Sequence, residues 1–445
     1  MSQTIPQPKG HFLLGNLNEM RRDFLQFLVE TDRNYGPVSQ ISAGPVRMVL
    51  LSNPDDIADV LVKRDELFHK TKSTKKLLAT LLGEGLISLE GADHKRHRLI
   101  MQPAFHARQV QSYTSVVVNY TQSWLKLRKE GEVLDIVPSF ANLMLDVVVG
   151  TFFSTSLAQT ENIRTALKSF SSALDLQIRS PIPLPKWLPT KLNRTVEHAL
   201  NTLNHIVYAL LKERREMRNL PPDLLTALIT SVDEETGKPL TDDEIRDEIA
   251  TIFFAGYETT TTTLAWIWYL LTTHPTVMDK LRAEITQTDS AVTVSRRQFP
   301  YMDAVIKETL RLYPAAWLFD REPIQDVVIG GYPIRAGQTI YISPYLVQRN
   351  PAYFDNPDAF LPERFLGDIE KRIPHFAYFP FGGGSRACIG QTFALHTTTL
   401  VLTTLLPHLT FDLMPDQSIV PAASATIVPK NGIMMRVSHL SQPKG

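Results

Sequence analysis

One stretch limits what this chain can become more than any other. It is Phe379-Pro380-Phe381-Gly382-Gly383-Gly384-Ser385-Arg386-Ala387-Cys388-Ile389-Gly390, and it holds the single cysteine among 445 residues. Consecutive glycines can take positive φ and let a backbone turn tightly beside a flat ligand without side-chain obstruction. From Gln391 the pattern Gln391-Thr392-Phe393-Ala394-Leu395-His396 reads as a helix to about Leu406. Cys388 therefore lies on a glycine-rich loop that feeds a helix N-terminus, where unpaired amides and the helix dipole favour thiolate over thiol. A lone cysteine also has a plainer reading, as a small buried hydrophobe. One cysteine excludes an internal disulfide, cysteine-based zinc and iron–sulfur sites, and covalent Cys-x-x-Cys-His haem attachment.

The second constraint is a long helix. Thr241-Asp242-Asp243-Glu244 is a capping box, with Thr at N-cap and Glu at N3. Ile245, Ile249, Ile252, Phe253 and Gly256 follow at helical spacing, and the pattern runs until Pro275 stops it. Roughly thirty residues at ~1.5 Å each make a rod of about 50 Å, enough to cross a whole domain. Its middle, Ala255-Gly256-Tyr257-Glu258-Thr259-Thr260-Thr261-Thr262-Thr263, goes against local preference. Glycine and β-branched residues are weak helix formers, and a buried carboxylate is costly. Such conflict tends to mark function. The plainer alternative is a threonine-rich packed helix with a surface glutamate.

Elsewhere the pattern predicts a helix over about 20–35, strands over 38–42 and 47–51, and a helix from Asn53 to about 63. A mixed loop and helix follows to about 87, then helices near 91–105, 110–129 and 136–153. A helix near 162–176 and one at 191–218 flank the proline-dense link 180–189, which cannot stay helical. The segment 301–313 is helical and carries Glu308 and Arg311 on one face. Gly330-Gly331 begins a hairpin, and 409–437 reads as strands. Lys+Arg and Asp+Glu both number 46, so no electrostatic footprint for nucleic acid is present. The apolar runs before Phe24 are far too short for a membrane span or a signal-peptide core.

Phe381-Gly382-x-Gly384-x-Arg386-x-Cys388-x-Gly390 resembles the haem-binding loop of the cytochrome P-450 family, the haem-thiolate monooxygenases. Ala255-Gly256-x-Glu258-Thr259 resembles that family's acid–alcohol pair, and Glu308-x-x-Arg311 with Pro362-Glu363-Arg364-Phe365 its structural network. The resemblance implies a mainly α fold with small β-sheets (α+β) in one haem domain over 1–445. Residues 1–68 would form the N-terminal β-region, and 69–445 the helical core with C-terminal strands. It also implies haem b with Cys388 as axial thiolate. Thr259 and Glu258 would manage protons for O–O cleavage. Phe381, Arg386 and Gly390 would contact the haem, and His94, Arg98 and Arg321 its propionates. Glu308, Arg311 and Arg364 would hold the cysteine loop. Phe253, Ala255, Ala316, Trp317 and Leu318 are the candidate pocket residues. Gln348 stands where the family often has histidine.

The activity so implied is insertion of one atom of O2 into a small apolar molecule, a fatty acid or a terpenoid. The wording of the cysteine loop is nearest to the bacterial fatty-acid hydroxylase branch. Electrons would come from a separate ferredoxin or flavodoxin with its NAD(P)H reductase, docked on a basic patch at Lys95, Arg96 and Arg386. The protein would be a cytoplasmic monomer with no membrane anchor and no nucleic-acid partner. Two rivals stand beside this reading. One is a peroxygenase driven by H2O2, whose known relatives replace the acid–alcohol pair by arginine and proline. The other is a non-catalytic haem-thiolate sensor, which would have no use for a proton relay.

Overall fold

The computed structural model describes residues 4–154, 165, 169, 190–233, 237–288, 296–367 and 369–440. The expected helix near 162–176 and the proline-dense link lie outside the described residues, apart from positions 165 and 169. The chain forms two units, each built from separate stretches. One comprises Met1–Lys75, Asp303–Cys388 and Val420–Asn431; the other comprises Lys76–Met302, Ile389–Ile419 and Gly432–Gly445. Helices predominate and the sheets are small, which is the α+β fold expected.

The first unit is organised on a five-stranded sheet in the order Val38–Ala43, Val46–Leu51, Thr339–Ile342, Phe319–Pro323, Phe68–His69. Val46–Leu51 pairs antiparallel with its hairpin partner and parallel with Thr339–Ile342. β-Branched and aliphatic residues at Val49, Leu51, Ile340 and Ile342 are buried against Ile57, Val60 and Leu61. Those last residues come from helix Pro54–Ala58 and a π-helical turn, Asp59–Lys63, that continues it. Asn53 starts the helix by accepting hydrogen bonds from the amides of Asp55 and Asp56, with Pro54 at the first helical position. The helix expected over about 20–35 is two helices, Leu17–Arg22 and Phe24–Tyr35. Asp23 divides them: it is extended, and its carboxylate caps the second by accepting the Gln26 N–H at 3.0 Å.

The second unit is built around the long helix, Asp242–Thr273. Its capping box forms as expected: the Thr241 hydroxyl accepts the Glu244 N–H at 3.2 Å, and Glu244 accepts the Thr241 N–H at 2.7 Å. From Leu264 to Trp268 every residue is buried, so the helix is apolar all round there. Trp268 meets Phe411 edge-on at 4.8 Å, and Phe140, from helix Ile136–Phe152, stacks on Trp124 at 5.4 Å. A Cβ added at Gly256 would stand 3.2 Å from Val148, so this glycine serves close approach of helix Ile136–Phe152. The hydroxyls of Thr259, Thr260, Thr262 and Thr263 each donate to the carbonyl four residues back. That local bonding lets a threonine run sit inside a packed helix.

Among the described residues of this unit, two α-helices were not anticipated. Leu224–Thr230 is capped by Asp223, and Pro275–Gln287 begins at the proline expected only to end its predecessor. The helix expected over 110–129 is broken at Tyr113 into Ala107–Ser112 and Thr114–Lys126. Strands Val133–Asp135, Met434–His439 and Leu409–Leu413 close this unit in one antiparallel sheet. Among the described residues no helix is long and apolar enough to cross a membrane.

Candidate active site

In the first unit the loop from Phe379 to Cys388 is shaped by backbone bonds. The Gly382 N–H donates to the Phe379 carbonyl, and the Cys388 N–H to the Phe381 carbonyl, both at 2.9 Å. Gly382 and Gly384 have φ of +70° and +67°. A side chain at Gly384 would also overlap the Leu61 carbonyl oxygen, whereas one at Gly382 would meet the Phe319 ring at an ordinary 3.5 Å. The π-helical turn Asp59–Lys63 is thus a backbone cradle for the loop. Cys388 is exposed, Phe381 and Arg386 half-buried. Three residues past the cysteine, helix Gln391–Leu405 begins, with Gly390 as its N-cap.

Behind the loop lies a buried ionic network. Glu308 and Arg311, both 0% exposed, pair through two bonds of 2.7 and 2.9 Å. Arg364 donates to the same carboxylate at 3.0 Å. The remaining Arg311 donors reach the carbonyls of Gln348, Pro357 and Ala359. Charges this deep are tolerated only because each is paired and hydrogen-bonded; removing one partner of such a pair costs about 3–5 kcal/mol. Gln348, whose role the sequence left open, is fully buried and accepts the Phe379 N–H at 2.9 Å.

Arg321 is also buried and donates to the Asp320 carbonyl at 2.7 Å. Ala316 and Leu318 keep accessible surface. Trp317 is 7% exposed; its indole N–H donates to the Ser424 carbonyl at 2.9 Å and its ring packs edge-on to Phe24.

In the second unit the functional candidates interrupt an otherwise buried helix. Ala255, Glu258 and Thr259 are half-buried, with buried residues before and after them. The Thr259 hydroxyl donates to the Ala255 carbonyl at 2.8 Å, which leaves its oxygen lone pairs as acceptors. Phe253 is fully buried and packs on Phe153 at 4.7 Å. On helix Gly91–Met101, His94 is buried and Arg98 half-buried, one turn apart. Arg96 is not an open docking charge, because it donates to Glu244 at 2.7 Å.

Sequence reasoning missed two connections to this helix. Buried His97 meets buried Glu248 at 2.6 Å, although 151 positions separate them. Asp247 accepts the Glu84 N–H at 2.6 Å and so holds the Gly83–Gly85 backbone against the long helix. The histidine pair His94 and His97 on one helix was the only signal in the sequence.

The donor chemistry can be weighed against a cofactor. Among the described residues no group of three or more His, Cys, Asp and Glu side chains could hold a bare metal ion. An exposed thiol on a glycine-rich loop supplies a single soft ligand, which suits the axial position of a metal already held in a planar ring.

Comparison with known proteins gives the same indication. The family model described as Cytochrome P450 matches residues 5–437. The chain is 34% identical to the cyclooctat-9-en-7-ol 5-monooxygenase of Streptomyces melanosporofaciens, over 88% of this chain and 86% of that protein. It is 31% identical to the pentalenene oxygenase of Streptomyces avermitilis, over 96% and 95% of the two chains. A bifunctional cytochrome P450/NADPH–P450 reductase of Bacillus cereus is 32% identical over 99% of this chain and 43% of its own length.

Two predictions follow from this geometry. Gly384→Ala should lower the thermal unfolding temperature far more than Gly382→Ala. The latter pays only the left-handed backbone cost of about 1–2 kcal/mol, while the former also meets the Leu61 carbonyl; equal shifts would contradict the cradle. The second concerns acid. Burial works to raise the Glu244 pKa, but the Thr241 amide, Arg96 and the Thr241 hydroxyl outweigh it and draw it from 4.5 down to about 2. A lowered folded-state pKa gives stability that is full above the unfolded value and lost as pH falls through the folded one. The advantage of wild type over Glu244→Gln in denaturant titrations should therefore be constant above about pH 4.5 and shrink towards pH 2.

Proposed function

The chain belongs to the cytochrome P-450 family of monooxygenases, and on that footing we propose that it hydroxylates a terpenoid ring alkene or alkenol. The overall change is RH + O2 + two electrons + two protons to ROH + H2O. The observation that carries the catalytic reading is the cysteine loop, where backbone packing fixes an exposed thiol beside a helix start. The names of two relatives support the substrate class: one is a cyclooctat-9-en-7-ol 5-monooxygenase and the other a pentalenene oxygenase. Ala255 in the one unit, and Ala316 and Leu318 in the other, are apolar side chains that keep accessible surface, which suits an apolar substrate. A fatty acid is the runner-up, favoured by the wording of the cysteine loop.

When bound, a haem supplies the redox-active iron and the oxygen activation. Cys388 would hold it through its thiolate, a charge that a following helix start favours. Arg321, Arg386, His94 and Arg98 are assigned to the propionates, which positively charged and N–H donors bind through charge-assisted hydrogen bonds. The Thr259 Oγ1, its own proton committed to Ala255, accepts a hydrogen bond from water and fixes that water's position. Glu258, half-buried, takes protons from solvent and passes them on. Electrons are assigned to a ferredoxin or flavodoxin with its NAD(P)H reductase.

Thr259→Ala tests the proton role. Substrate binding should be unchanged, while the fraction of NADPH electrons recovered in product falls by about an order of magnitude or more. Coupling equal to wild type would remove Thr259 from the mechanism. In a ligand panel, terpenoid alkenes should shift the ferric spin state at lower concentration than C12–C18 fatty acids. The reverse order would transfer the proposal to the fatty-acid class.

A further inference from the structure

We propose that the Gln348 carboxamide is a positioning residue, one that keeps Cys388 in its thiolate-ligating place at every pH the protein survives. The proposal rests on the haem-thiolate reading above and goes beyond it by assigning a residue outside the loop. Gln348 is 0% exposed, and each hydrogen-bonding atom of its carboxamide is used. Nε2 donates to the Leu310 carbonyl at 2.9 Å and the Arg311 carbonyl at 3.1 Å. These are last-turn carbonyls of helix Pro300–Leu312, which have no partner within the helix itself. Oε1 accepts the Phe379 N–H at 2.9 Å. Two carbonyls on one side and an N–H on the other admit only this orientation of the amide.

The clasp leads directly to the cysteine. Phe379 opens the loop, its carbonyl accepts the Gly382 N–H, and the Phe381 carbonyl accepts the Cys388 N–H. At its other end the backbone carbonyl of Gln348 accepts Arg311 Nη1 at 2.9 Å. One residue therefore joins the buried ionic network to the backbone that aims the thiolate.

The chemistry of this position is selective. A carboxamide donates and accepts without titrating. A neutral imidazole could accept from Phe379 and donate to one carbonyl. A protonated imidazole has donors on both sides, so it would lose the Phe379 bond and add a cation beside Arg311. The charged groups around the position are Arg311 and Glu308 on the helix, Arg364 from the turn Pro362–Phe365, and Arg349, which lies over the Tyr345 ring at 3.9 Å and pairs with Asp358 at 3.7 Å. A leucine would strand two carbonyls and one N–H in the interior.

The test uses haem-loaded full-length wild type, Gln348→His and Gln348→Leu. Ferrous–CO spectra are recorded from pH 5.5 to 9, with haem content and the ferric–ferrous reduction potential measured alongside. The wild-type fraction of red-shifted, thiolate-type band should be flat across this range. Gln348→His should match it at high pH and lose the band at least severalfold as pH falls through the imidazole pKa, about 6.5 when unperturbed. Its reduction potential should move over the same interval. Gln348→Leu should show a reduced fraction at every pH. A flat Gln348→His profile, or a Gln348→Leu protein with a full and stable band, overturns the proposal. If Gln348→Leu does not fold, the Gln348→His profile decides alone. A merely structural glutamine would alter stability without giving the histidine variant a titration in its ligation state. A wild type with no thiolate-type band at any pH overturns the haem-thiolate reading, and this proposal with it.

Discussion

The pairing of Glu308 with Arg311 and Arg364 in the dry interior of the first unit carries much of what surrounds it. Such a network gains little net stability over an apolar core of equal volume, because the desolvation of three charges offsets their attraction. Its value here is geometric. A guanidinium has donors in a fixed plane, and Arg311 spends them on one carboxylate and three backbone carbonyls. Two chain segments, at Gln348 and at Pro357 to Ala359, are thereby fixed to one helix, and a shift in either would expose an unpaired charge. The cysteine loop hangs from one of these segments. The Leu61 carbonyl, pressed against Gly384 from the other side, leaves the loop little freedom.

The second unit solves a different problem. Its long helix must be apolar enough to be buried and yet offer polar atoms at one point. Back-bonding threonines satisfy both needs, since each hydroxyl spends its proton inside the helix and still presents lone pairs. The N-terminal half of the same helix is held by acids: Glu244 to Arg96, Asp247 to the Glu84 amide, Glu248 to His97. Small residues therefore do separate jobs that look alike in sequence. Ala255 keeps surface accessible, while Gly256 admits the neighbouring helix.

What could be read from the sequence was local. The cysteine loop, the Thr241 capping box and the Glu308–Arg311 spacing all lie within a few residues, where geometry follows from chain chemistry. What could not be read was pairing at a distance and the direction in which an apolar side chain points. His97 and Glu248 gave no sign of each other across 151 positions. Gln348 was visible as a departure but not as a clasp, because its three partners come from two other segments. Phe253 and Trp317 had the right composition for a pocket, but the packing of the one on Phe153 and the bond of the other to Ser424 could not be read from the chain. Asp23 was passed over because an N-cap inside an amphipathic run leaves the periodicity almost intact.

The central claim is that Cys388 ligates haem iron as a thiolate. The ferrous–CO difference spectrum of purified wild type beside Cys388→Ser tests it most directly. The account predicts a strongly red-shifted Soret band in wild type that is absent from the serine variant. A histidine-type CO band in folded, haem-loaded wild type would contradict it, and the roles assigned to Thr259, Glu258 and Gln348 would fall together.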